Sequence, residues 1–241
     1  MRHSAFDVAM RDTDVAVRDS QGGRIMNVEN IGAAMDDVAA MPATNEDMER
    51  IRYGIERDCA RRGTSAAMRD LIEGPFMRWM DAMGDARTEH GALDRADMMT
   101  IAAAMDRTLA VRDALIVSII LGEEDAPREF LLDFIARPML PRNARRLEDL
   151  LGKSFRDAAR RPGKARCDQG IDMLFDIIGV VPERYQVQPL AVIAYVLWWM
   201  GDERAMLCAL RALALDEDCS LAAIVCSALH RHVGPAWTVE I

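Results

Sequence analysis

At 241 residues, with 51% hydrophobic and 29% charged side chains, the chain can bury a substantial core as one large domain or two small ones. Its net charge of −9 argues against nucleic acid as a partner, because phosphate binding needs a positive surface. The most apolar run, Leu190 to Met200, falls well short of the roughly 20 residues that cross a bilayer, so no membrane partner is expected.

The N-terminus meets Asp7 before any long apolar core, which is not the pattern of a secretory signal. Five cysteines, Cys59, Cys167, Cys208, Cys219 and Cys226, are odd in number and scattered, and read as reduced thiols in a cytoplasmic protein. Residues 1–43 show weak periodicity around Gly22-Gly23, predicting a weakly structured arm or a small β-hairpin, with a short helix over Asp36 to Met41. Residues 44–241 are expected to form a single all-α domain.

Thr44 can cap a helix whose apolar positions are Met48, Ile51, Ile55 and Cys59, and Gly63-Thr64 ends it and starts the next. Gly74-Pro75 predicts a break before a methionine-rich helix from Phe76 to Met83. Asp94 caps a further helix through Leu109, after which Leu109 to Asp113 is expected as a tight connection. The continuous run Ala114 to Leu121 fits a buried strand or a helix, and the lack of any partner strand favours helix. Ala126-Pro127 opens another helix, ended by Pro138 and Pro141. Helices over Ala144 to Arg160 and Cys167 to Ile178 follow, with Pro162-Gly163 between them.

From Gln188 to Trp237 the chain reads as an apolar helix, a Gly201-Asp202 turn, a second helix to Leu215, and a third from Leu221 to Leu229. Helices apolar on most sides must bury one another, which makes this stretch the expected core. The expected fold class is all-α, a multi-helix bundle of antiparallel helical hairpins. The hairpin at 189–222, with an apolar first helix, Gly201-Asp202 at its turn, Ala205 after it and then Ala212-Leu213-Ala214-Leu215-Asp216, resembles a single tetratricopeptide-type unit, which uses small residues where its helices cross.

A longer series covers about half the chain: Val111-Arg112-Asp113-Ala114-Leu115, Gln188-Pro189-Leu190-Ala191, Trp198, Gly201-Asp202, Ala209-Leu210, Ala212-Leu213, Asp216, Ser220-Leu221-Ala222 and Gly234-Pro235-Ala236-Trp237. It is similar to the C-terminal half of an actinobacterial family, the domain of unknown function numbered 4192. The resemblance implies a fold and a lineage but no activity, and members usually carry an α/β-looking N-terminal half that is reduced or absent here. The balance of 28 Arg to 2 Lys agrees with a GC-rich genome.

No catalytic constellation emerges, and no cofactor or metal is implied. Cys226, His230 and His232 share one region, but histidines at a helix end are more often there for the helix dipole, and no third group orients a thiol nucleophile. The acidic clusters Glu123 to Asp125 and Asp216 to Asp218 lack the spacing of a calcium loop, and Gly152-Lys153-Ser154 lacks the earlier glycine of a phosphate loop. Trp198 and Trp199, about 100° apart on a helix, are expected to split, one into the core and one onto a groove or subunit interface. Between Arg137 and Arg166 ten basic residues face three acids, a local +7 that leaves −16 elsewhere, and Arg142, Arg145 and Arg146 are its candidate contacts for an acidic segment. The leading expectation is a helical interaction module or scaffold that binds a protein, itself included. The alternative is an enzyme or small-ligand binder with its site in an inter-helix groove.

Overall fold

The computed structural model describes residues 42–84 and 93–238, all of which belong to one compact unit, Ala34–Ile241. The expected N-terminal hairpin and the helix over Asp36 to Met41 lie outside the described residues. Among the described residues the protein is all-α, a multi-helix bundle with ten α-helices and no strand.

Helix α1 (Asn45–Arg62) starts where Thr44 Oγ1 accepts from the Asp47 N–H at 3.1 Å and the Asp47 carboxylate accepts from the Thr44 N–H at 2.9 Å. It stops at Gly63, whose φ of +83° suits a residue without Cβ. Helix α2 (Thr64–Gly84) runs straight through Pro75, against the expected break. Proline removes one donor, that to the Leu71 carbonyl, but Pro75, Phe76, Trp79 and Met80 are all buried. Helix α2 packs on α1, α3 and α5, and that burial outweighs one lost hydrogen bond.

Helices α3 (Arg95–Arg107) and α4 (Leu109–Ile120) are separated by Thr108 alone. The expected connection at Leu109 to Asp113 is therefore helix. Thr108 makes the corner by adopting extended backbone, φ −150°, and accepting from the Ala110 N–H through its hydroxyl. The apolar run Ala114 to Leu121 is helical as expected, as far as Ile120. Then come α5 (Arg128–Ala136), α6 (Pro141–Arg156), α7 (Lys164–Val180), α8 (Val187–Met200), α9 (Ala205–Leu215) and α10 (Ser220–His230), with 3₁₀ turns at Ala158–Arg160 and Glu183–Gln186.

Helix α8 is the hub. It is buried on nearly every side and touches α3, α4, α7, α9 and α10. Gly201, at φ +78°, closes it in the left-handed conformation and lets α9 fold back along it. Helix α7 meets α4 at Gly170, where a Cβ would sit 2.6 Å from Ile119 Cγ1, so only glycine permits this approach. Three polar contacts tie helices together. Trp79 Nε1 donates to Ser118 Oγ at 2.9 Å, Arg78 pairs in two-pronged fashion with the buried Asp97, and Arg166 donates to the carbonyls of Ser118 (2.9 Å) and Met83 (3.1 Å). Among the described residues no helix is long and apolar enough to cross a membrane.

Candidate functional site

Trp198 and Trp199 are 8% and 1% exposed, so the expectation that one of them lines a groove is corrected: both are interior. The reason is the chain after α10, which folds back over the end of α8. Trp198 Nε1 donates to the Val233 carbonyl at 2.8 Å, Trp237 Nε1 donates to the Trp199 carbonyl at 2.9 Å, and the Ala236 N–H donates to the Phe155 carbonyl at 2.9 Å. Phe155, Tyr195, Trp198, Trp199 and Trp237 form one aromatic cluster, mostly edge-to-face or tilted, with centroids 5.2–6.0 Å apart. A helix can place adjacent residues 100° apart and still bury both when a second segment covers the outer one. Periodicity within one helix carries no trace of that cover.

The three candidate arginines lie on α6, an amphipathic helix on the outside of the bundle. Arg142 pairs with Asp133 at 3.3 Å, and the Arg146 guanidinium lies 4.2 Å above the Phe130 ring, so two of the three are engaged within the chain. Arg145 is exposed. Arg166, the last residue of the basic run, faces inward onto helix ends.

Cys226 and His230 fall on α10, and no hydrogen bond joins them among the described residues. Burial pushes the Cys226 thiol up, opposite to what an activated thiolate needs. Cys167 is pushed up to about 12 and Cys208 to about 11, again by burial. Among the described residues no three His, Cys, Asp or Glu side chains are grouped to hold a metal ion.

Two features that motif reading passed over stand out. The first is the outer face of the α9–α10 hairpin. Leu207 (46% exposed), Leu210 (37%) and Ile224 (55%) point outward together with exposed Ala214 and Ala223. Leu210 is five residues before the end of α9 and Ile224 four after the start of α10, so the turn at 216–219 sets them at one level. At the turn stand Asp216, Glu217 and Asp218, and Arg211 and Arg231 are exposed on the same hairpin. None of these five is ion-paired among the described residues.

The second is a crevice of about 360 Å³ between the end of α3, the Glu183–Gln186 turn, the start of α8 and the end of α9. Ala102, Asp106, Arg184, Tyr185, Gln188 and Asp216 are on its walls. Arg184 bridges Asp106 (3.5 Å) and Glu49 (3.7 Å), and Tyr185 Oη lies 3.5 Å from the same Glu49 carboxylate. Gln188 Oε1 is shut off from solvent and has no hydrogen-bond partner among the described residues. One signal in the sequence does point here: Asp106 and Asp216 are acids at helix C-termini, where the dipole disfavours them.

Compared with known proteins, the chain matches no family profile, no curated protein and no solved structure.

Proposed function

We propose that this protein is a helical interaction module that self-associates through the outer face of the α9–α10 hairpin. The observation that carries the reading is that face itself. A terminal hairpin in a stack of helices ordinarily presents a polar outer side, whereas α9 and α10 expose Leu207, Leu210 and Ile224 beside small residues that let another helix approach closely. A second copy is the occupant favoured by charge. In a two-fold pair each face meets itself reversed, which carries the acidic turn Asp216 to Asp218 of each copy toward the unpaired Arg211 and Arg231 of the other.

A cytoplasmic location belongs to the same proposal, supported by five unpaired thiols, three of them buried. So does kinship with the domain of unknown function 4192 family. In its favour, the motif residues converge: at the end of α8 Trp198 donates to the Val233 carbonyl and Trp237 to the Trp199 carbonyl, Gly201 lies against Thr238, and the Arg112–Asp113 pair (2.7 Å) sits on α4 beneath α8.

Sedimentation velocity tests the reading. The wild type is expected to reach twice the 26.9 kDa chain mass in the micromolar range. Ile224→Glu would place a carboxylate in the apolar centre of the interface and weaken association by at least about a hundredfold, with unchanged far-ultraviolet circular dichroism. A wild type that stays monomeric at high micromolar concentration, or an Ile224→Glu protein that pairs as well as wild type, refutes it.

A further inference from the structure

Helix α6 carries a row of charges that the fold itself does not use. It is 16 residues long, about 24 Å of axis, and Arg142, Arg145, Arg146, Lys153 and Arg156 fall within about 100° of its circumference. All five are exposed, whereas Asn143 and Ser154 on the other side are buried between half-buried leucines. A single acid, Asp149, stands in the middle of the row. Elsewhere on the surface cations are matched: Arg52 by Glu49 and Glu56, Arg128 by Asp81 and Glu123, Arg204 by Asp202. On α6 only Arg142 has a carboxylate partner, Asp133, which it shares with Arg137. Arg146 lies over the Phe130 ring, and Arg145, Lys153 and Arg156 have no ion-pair partner among the described residues.

This arrangement weakens the helix that bears it. Like charges three and four residues apart repel, and three of the arginines occupy the first two turns, at the positive pole. No acid in the first turn and no side-chain cap offsets them there. Cations that cost their own helix stability, in a chain of net charge −9, are complementary to negative charge supplied from outside.

A second observation comes from the residue that leads into α6. Met139 is 89% exposed, more than any other large apolar side chain among the described residues. Its backbone is held by Pro138 and Pro141 on either side and by a turn in which the Leu140 N–H donates to the Arg137 carbonyl at 3.2 Å. Methionine and arginine are enriched in interface cores, and here a rigidly presented methionine adjoins the row of cations. We infer that the surface from Met139 to Arg156 docks an acidic segment of a different protein. That segment carries an apolar side chain at one end to cover Met139 and a basic residue midway to answer Asp149.

Three other occupants fit less well. A nucleic-acid backbone is charged at every step and would meet Asp149, and the neighbouring Glu148, with phosphates. An anionic bilayer needs apolar side chains flanking the cations on the outer face, but the leucines of α6 turn inward. A second copy has few free acids to offer. Those of α1, and Glu123 and Asp125, already face their own arginines, and Asp216 to Asp218 belong to the hairpin face. The inference therefore adds a contact surface to the one used in self-association and does not rest on it.

Fluorescence anisotropy with the full chain at about 50 mM salt tests it. The probe is a fluorescein-labelled, end-blocked peptide, Leu-Ala-Ala-Glu-Ala-Ala-Glu-Glu-Ala-Ala-Lys-Ala-Ala-Ala-Glu-Ala-Ala-Glu, whose charges mirror the row on α6. One control has every Glu replaced by Gln, and another is a labelled oligothymidylate of similar length. The expected result is saturable binding of the acidic peptide with a Kd of about 10–100 μM, and none of the Gln peptide. The combined variant Arg145→Glu, Lys153→Glu, Arg156→Glu has no ion pair to lose. It should keep the wild-type circular dichroism spectrum and bind the peptide at least about thirtyfold more weakly. Met139→Ser, which leaves every charge in place, should weaken binding about threefold to tenfold. Ile224→Glu should bind as wild type does, and the triple variant should self-associate as wild type does in sedimentation velocity. No saturable signal up to about 1 mM peptide, equal binding of the Gln peptide, or full affinity in the folded triple variant would overturn the inference. So would tighter binding of the oligothymidylate, which makes the surface a phosphate-backbone site, or loss of self-association in the triple variant, which makes the occupant a second copy.

Discussion

Arg166 offers the sharpest test of how this bundle is held together. Its guanidinium reaches Ser118 O (2.9 Å) near the end of α4 and Met83 O (3.1 Å) near the end of α2, two carbonyls that the last turns of their helices leave without intrahelical donors. Each hydrogen bond from a charged donor contributes about 1.5–3 kcal/mol. Against this stands the cost of burying the cation, visible in the downward push that burial exerts on its pKa. Arg166→Leu removes both bonds, relieves that cost and recovers some apolar contact, so a net loss of about 2–4 kcal/mol is expected. With a urea slope of about 3 kcal/mol/M the midpoint would fall by about 1 M, measured by circular dichroism at 222 nm. Arg166→Lys keeps the charge but lacks the fork that spans two helix ends, and should fall between. A loss below about 1 kcal/mol in Arg166→Leu, or wild-type stability in Arg166→Lys, would refute the pinning role.

Two further outcomes follow from the packing and the buried charges. Gly170→Ala forces a Cβ against Ile119 at 2.6 Å, so it should lower stability by about 1–3 kcal/mol in urea unfolding, and the same substitution made in an Ile119→Ala background, where the clash is gone, should cost much less relative to that background. Burial raises the Asp176 carboxyl above its ordinary value, and the nearby Asp172 adds to this. The native state therefore takes up this proton at a higher pH than the unfolded chain does. That contribution to stability is present below about pH 4 and is lost as pH rises through the raised native value. Asp176→Asn is neutral throughout, so its stability relative to wild type should improve from pH 4 to pH 7. An advantage of equal size at both pH values would contradict the assignment.

What local sequence determines here is the set of helices. Thr44 with Asp47, Asp94, Gly63 and Gly201 mark ends that the structure keeps, because capping and left-handed closure depend on residues only a few positions apart. The apolar stretch of α8 was legible as the core for the same reason: a helix with no polar side has to be surrounded. Local rules failed where a distant segment supplied the deciding energy. Pro75 stays inside α2 because its neighbours are buried against other helices, and Trp198 and Trp199 are both interior because residues 233–238 return to cover them. Arg166 belongs by sequence to a basic surface run, yet two helix ends brought near it by the fold draw it inward. The candidate sites are of this second kind. The α9–α10 face is defined by which apolar residues the bundle leaves uncovered, and the crevice joins Asp106, Gln188 and Asp216 from three helix ends that only tertiary packing brings together.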